Sequence, residues 1–217
     1  MPDLPDAYTP ESADAVIDAM ATARAIRSYR PDPVPDELLE RLIFAGTRAP
    51  SPRNTQPWEF IVVRDAEVRR RIGDALEPRA AEVEAAIPRL RTDVKKRMYQ
   101  GAADLLRALG TAPTIIFVAG WQRDFGEEFP AEDMMLSALH TSAQNILVAA
   151  RAMGLGAAFT TFHLHAQEEV RAAIEAPDDL HLAVTIPIGW PASNTGPVRR
   201  RPVEEVLHWD RYVPPPA

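Results

Sequence analysis

The sequence predicts a mixed α/β domain built as a layered sheet sandwich. Three observations carry that prediction. Four short apolar runs are bounded by charged or turn residues, long apolar-periodic helices separate them, and no repeat or linker divides the order α, α, β, α, β, α, β, α, β. Apolar runs of this length read as strands buried on both faces, and helices covering such a sheet give stacked layers. At 217 residues the chain is long enough to bury one full core.

Residues 1–11 read as a flexible lead and 12–217 as a single domain. A first helix runs to about Arg27, with Val16, Ile17 and Met20 on one face at helical spacing. Tyr29, Pro31, Pro33 and Pro35 then form an extended stretch, because proline pushes its predecessor out of the helical region. Pro35-Asp36-Glu37 starts a second helix, with proline in the first turn and acids at the positive end of the dipole. It carries Leu38, Leu39, Leu42 and Ile43 and ends before Pro50. Phe60-Ile61-Val62-Val63 is the first strand. About 66–110 is helical but rich in charge, is broken near Pro88, and reads as a solvated excursion and candidate lid. Thr114 to Ala119 is the second strand, and Trp121 to Pro130 an irregular loop. The best helix spans about Glu132 to Met153, with Met135, Leu139, Ser142, Ile146, Ala149 and Met153 along one stripe. Ala157 to Thr161 and Ala183 to Ile188 are the last strands, separated by a short helix around Glu168 to Ala176. The tail, 190–217, holds six prolines and an arginine run and reads as an arm lying on a surface.

Composition removes several function classes. The formal charge of −7 argues against a nucleic-acid partner, which favours a basic face. With no cysteine, disulfides, thiolate chemistry and Cys-ligated zinc are excluded. No run approaches the ~18 consecutive apolar residues of a membrane span. Met1-Pro2-Asp3-Leu4-Pro5-Asp6 is acidic and Pro-rich, the opposite of a signal peptide, so a cytoplasmic protein is expected.

The most informative segment is Ala49-Pro50-Ser51-Pro52-Arg53-Asn54-Thr55-Gln56-Pro57-Trp58. Prolines stiffen it, while Ser, Asn and Gln offer donors and acceptors suited to a planar heterocycle. Alone, it would also read as an ordinary Pro-rich turn. Arg24 and Arg27, three apart on the first helix, would share a face and suit phosphate oxygens, or would simply offset the helix dipole. Gly154-Leu155-Gly156 is no dinucleotide fingerprint: a helix precedes it, a strand follows, and Phe159 stands where a third glycine belongs. Those glycines read as a helix C-cap. His140, His163 and His165 make no metal site and read as structural or substrate-facing.

In order and at their separation, the Arg24-Ala25-Ile26-Arg27-Ser28-Tyr29 stretch and the Ala49–Trp58 loop resemble the FMN-dependent nitroreductase family. Its members show an R-[AS]-x-R-x-[FY] motif and an A-P-S-x-x-N-x-Q-P-W loop. Ala143 to Gly156 resembles the family's central helix and its exit, and Arg200 to Tyr212 its C-terminal segment. The resemblance implies a three-layer α-β-α sandwich, α+β, with a mixed, mainly antiparallel sheet, and an intertwined homodimer with two FMN sites at the interface. It implies that Arg24, Ala25, Ile26 and Arg27, with Thr160, Thr161 and Arg200, hold FMN from one subunit, Arg199 and Arg201 being alternates to Arg200. It brings Pro50, Ser51 and Asn54, with Gln56, from the other. The backbone of Thr160-Thr161-Phe162 would lie by the flavin nitrogen that takes up hydride. NADH or NADPH would bind transiently, and a nitroaromatic or quinone would then take its place, with no catalytic side chain required. Ala23 and Ala25 depart from a frequent arginine and serine, so one phosphate ligand is missing or comes from elsewhere, while Arg53, where a small residue is frequent, would narrow the site or grip an anionic substrate. An iodotyrosine-deiodinase-like or dimethylbenzimidazole-synthase-like enzyme, and an FMN-storage protein without turnover, are the alternatives.

Overall fold

The structure, a computed structural model, describes residues 10–122, 130–193, 198 and 200–214. Its centre is a sheet of β1 (Trp58–Val63), β2 (Thr114–Gly120), β3 (Gly156–Ala157) and β4 (His181–Gly189). Their order is β1-β2-β4-β3, antiparallel at every pairing, with Ile61 opposite Phe117 and Phe117 opposite Thr185. Every residue of β2 is buried, which is why it reads as an uninterrupted apolar run.

Strand alternation sorts the core into two halves. Ile116 and Val118 face a layer made by α2 (Asp36–Gly46) and α5 (Ala131–Ala152), where they meet Leu39, Leu42, Leu139 and Ile146. Ile115, Phe117 and Ala119 face the opposite layer, made by α3 (Ala66–Ala86), α4 (Asp93–Thr111) and α6 (Gln167–Ile174). The result is the expected α-β-α sandwich, with α1 (Pro10–Thr22) laid against α5.

The 66–110 stretch is not a solvated excursion along its length. Ile72, Leu76 and Ala80 of α3, with Leu105, Leu106 and Leu109 of α4, are buried at helical spacing. The two backbones touch: a Cβ on Gly73 would stand 2.8 Å from the Cα of Gly110. The charges that suggest solvation lie outside, where Arg70 pairs with Glu67 and Asp74, and Arg107 with Glu77 and Glu84. Pro88 does break the helices, within a 3-10 turn at Ile87–Arg89, whereas Pro78 sits inside α3 without ending it.

The first helix also differs. It stops at Thr22, because Ile26 N–H donates to Ala157 O (3.0 Å) and Ala25 pairs in parallel with Ala157. Residues 23–26 therefore run as an added parallel rung beside β3, which makes the sheet locally mixed. β3 itself is shorter than expected, and Thr160 pairs separately with Thr185. Of the expected lead, residues 1–9 lie outside the described residues, as do 123–129 of the Trp121–Pro130 loop and Arg199. Trp209, Tyr212 and Val213 of the arm are exposed. No described helix is long and apolar enough to cross a membrane.

Candidate cofactor-binding site

A cleft of about 430 Å³ opens where the extended residues 23–26, the exit from β3 and one side of α5 converge. Arg24, Ala25 and Ile26 line it from one end of the chain and Arg200 from the other. Four of the residues expected around the cofactor are thus brought together. Arg27 is not among them. Arg24 and Arg27 do not share a helix face, since their segment is extended and residues three apart on such a segment point to opposite sides. The Arg27 guanidinium lies instead against α4, where a Cβ on Gly101 would come within 3.3 Å of its Cζ.

Local packing fixes the 23–26 rung. A Cβ on Gly156 would stand 2.8 Å from Ile26 Cγ2, so only glycine lets the rung approach β3 this closely. Gly154 ends α5 with φ +77, the left-handed cap its sequence context suggests. Tyr29 then pins the segment to β4, its hydroxyl lying 2.8 Å from Ile26 O and 3.1 Å from Pro187 O. Burial pushes the Tyr29 phenol far above its ordinary value, so it remains a neutral donor.

Thr160, Thr161 and Phe162 do not line the cleft themselves; they follow Phe159, which does. The Thr160 N–H donates to Thr185 O (3.1 Å) and the Phe162 N–H to Thr160 Oγ1 (3.0 Å). Thr161 N–H makes no such bond among the described residues, so of the three it is the backbone donor left for another group. His163 is structural. It is fully buried, with Nε2 2.9 Å from Leu182 O and Nδ1 2.7 Å from Thr185 Oγ1. A carbonyl can only accept, so Nε2 carries the proton and the Thr185 hydroxyl donates to Nδ1. His140 meets Phe159 edge-on and His165 leans on Phe162, both histidines being exposed.

Pro50, Ser51, Asn54 and Gln56 do not line the cleft of their own chain. Their loop is nevertheless shaped in detail. Arg53, Asn54 and Gln56 have φ of 52°, 54° and 46°, a left-handed conformation that costs non-glycine residues energy and concentrates at functional sites. Ser51 holds the loop together, its carbonyl accepting from Asn54 N–H (3.0 Å) and its hydroxyl from Gln56 N–H (3.1 Å). Stiffness thus comes from Ser51 and strained backbone as well as from proline.

Two further residues of the cleft, Gln144 and Arg151 on α5, had no role in the sequence reading. A lone arginine in a helix's last turn carries no pattern to flag it. Three of the described lining residues are arginines and none is acidic.

Fold and cleft define a class: an α+β sandwich with an arginine-lined cleft against its longest described helix. Within that class the chain belongs to the nitroreductase family, whose model matches residues 20–190. It is 32% identical over 216 residues to an NADH dehydrogenase of Thermus thermophilus, covering 92% of this chain and 99% of that relative. It is 29% identical over 220 residues to the 5,6-dimethylbenzimidazole synthase of Rhodospirillum rubrum, covering 97% and 96%. Among solved structures, the FMN-dependent nitroreductase NfnB of Mycobacterium smegmatis, in complex with NADPH, superposes with a TM-score of 0.70. That match covers 92% of this chain and all of the other at 21% identity, and speaks for the fold.

Proposed function

We propose that the chain is a cytoplasmic, homodimeric FMN-dependent oxidoreductase that takes hydride from NADH or NADPH and passes it to a small acceptor such as a nitroaromatic or quinone. The observation that carries this reading is the convergence of Arg24 and Arg200, from opposite ends of the chain, on one cleft. FMN fits the residues present. The volume falls in the range of small-molecule sites, about 300–1,000 Å³, the arginines suit a phosphate, and Thr161, two residues beyond the cleft-lining Phe159, has a backbone N–H with no acceptor among the described residues. When bound, FMN supplies the hydride chemistry, and the protein supplies orientation and electrostatics.

Arg24 and Arg200 hold the phosphate through charge-assisted hydrogen bonds. Tyr29 and Gly156 keep the 23–26 rung, and with it Arg24, in place. Thr161 N–H, just beyond the cleft-lining Phe159, would be a preorganised backbone donor towards a bound, negatively charged flavin. Donor and acceptor use the same opening in turn, so the half-reactions alternate. Ser51 and Asn54 complete the pocket across the dimer, a role supported by a shaped loop that does not line its own subunit's cleft.

Anaerobic titration of the purified, flavin-loaded protein with NADH and NADPH should bleach the flavin. Steady-state rates at several acceptor concentrations should then give parallel double-reciprocal lines. Intersecting lines would overturn the alternating scheme, and reduction by neither nicotinamide would favour storage. The 29% identity to the Rhodospirillum rubrum synthase along nearly the whole chain supports a second reading, which release of 5,6-dimethylbenzimidazole on turnover would establish.

A further inference from the structure

We propose that Arg151 is a third guanidinium ligand of the cofactor phosphate, held in position by Thr22, and that it replaces the arginine absent at Ala23. The inference rests on the FMN reading of the cleft. Arg151 lines the same cleft as Arg24 and Arg200, and so does Ala23. The missing cation and the added one therefore serve the same space, one from the chain after α1 and one from the last turn of α5.

The orientation of Arg151 is built. Its Nε donates to Thr22 Oγ1 at 2.8 Å, and the Thr22 hydroxyl donates to Asp18 O at 2.7 Å. With its own hydrogen committed, the Thr22 oxygen acts towards Nε only as an acceptor. That tether joins α1 to α5 and uses only one donor of the guanidinium. Among the described residues no carboxylate pairs with Arg151, and Nη1 and Nη2 have no protein acceptor. A cation that merely offsets the α5 dipole would need no such tether. Leu147 and Gln144 lie one and two turns earlier on the same side of α5 and also line the cleft, so this face of the helix is the cleft wall. A fixed guanidinium with two unused nitrogens is matched to a phosphate, which accepts them as a pair. The ligand class that follows is a phosphorylated flavin rather than riboflavin.

The experiment compares FMN and riboflavin binding to the full-length apoprotein by flavin fluorescence quenching, for the unaltered chain and for Arg151→Gln, Arg151→Lys, Thr22→Val and Arg24→Gln. Charge-assisted bonds of this kind predict that Arg151→Gln weakens FMN about ten-fold or more, where ten-fold is ~1.4 kcal/mol. Riboflavin affinity should stay within about two-fold, since it lacks the phosphate that pairs with arginine. Thr22→Val should loosen FMN selectively by a smaller factor, and Arg151→Lys should recover part of the Gln loss. The proposal is overturned if Arg151→Gln leaves FMN affinity unchanged, or weakens both ligands equally, while Arg24→Gln acts on FMN alone. If Arg151→Gln does not fold, Thr22→Val decides on the same criterion. Should the unaltered chain hold FMN no more tightly than riboflavin, the FMN reading itself fails.

Discussion

Arg24 and Arg27 are three residues apart in the chain and point into different spaces, which gives them separable effects. Arg24→Ala or Arg200→Ala should each weaken FMN by about ten-fold, from bonds worth roughly 1.5–3 kcal/mol, and leave riboflavin nearly untouched. Arg27→Ala, on the α4 side, should weaken both flavins together; paired equilibrium titrations would show it, and an FMN-only loss would return Arg27 to the phosphate. That division was illegible in sequence, because helical spacing suggested one shared face and only the pairing of Ala25 with Ala157 removes it. The motif did point to Arg24, Ala25 and Ile26, which line the cleft. It gave no sign of Arg151, whose role depends on a contact with α1 made in three dimensions. His163 has a pH signature. Burial lowers it from the ordinary 6.5, so the unfolded chain binds that proton more readily than the folded one. Its contribution to stability is full above 6.5 and is lost as pH falls below that value towards the folded pKa. His181 is lowered by burial too and adds in the same sense. Urea midpoints should therefore fall between about pH 7 and about pH 5, and His163→Gln should flatten that slope; an unchanged slope would mean that other groups set it.

Among the elements, the α3–α4 pair has the tightest tolerance. Gly73 and Gly110 bring the two backbones into contact, and a methyl group at either has no room. Gly110→Ala should destabilise the fold by about 1–3 kcal/mol, the usual cost of overpacking, despite alanine's better helix propensity. A lower urea midpoint at unchanged slope is the expected result, and a stabilised variant would show that the helices can part. Here the sequence was read from its charges, and the charges lie on the outer faces. The apolar stripe of Ile72, Leu76, Leu105 and Leu109 was present at helical spacing, but the salt-bridged residues between its members masked it. α2, α5, β2 and β4 were legible because their apolar pattern is unbroken, and β2 most of all since it is buried on both faces. Thr160 was read into β3, yet its pairing is a separate bridge to Thr185 that no run of apolar residues announces.

For the whole molecule, assembly is the open quantity. Val16, Ile17 and Met20 on α1 are 50%, 60% and 51% exposed, and Trp209 in the arm is 78% exposed. The proposed shared pocket requires a second copy of the chain, which would also have these exposed apolar residues available to cover. Flavin affinity and subunit association are then linked, because a ligand that favours the assembled state stabilises it by mass action. Sedimentation at falling protein concentration should show flavin and monomer released together, with added FMN opposing both, and Asn54→Ala should loosen flavin without unfolding the chain. A monomer retaining stoichiometric FMN at the lowest concentration would sink the shared pocket. The strand order has a consequence in time. β2 meets β1 only across the α3–α4 hairpin and β4 only across α5 and α6, so neither of its ladders is closed by a tight turn. Contacts between distant segments form slowly, since loops must close before those contacts can contribute. On the ribosome the helical hairpin emerges whole while the central strand still lacks one edge. The bridge from Thr160 to Thr185, and with it the frame around Thr161, cannot exist until synthesis has passed β4.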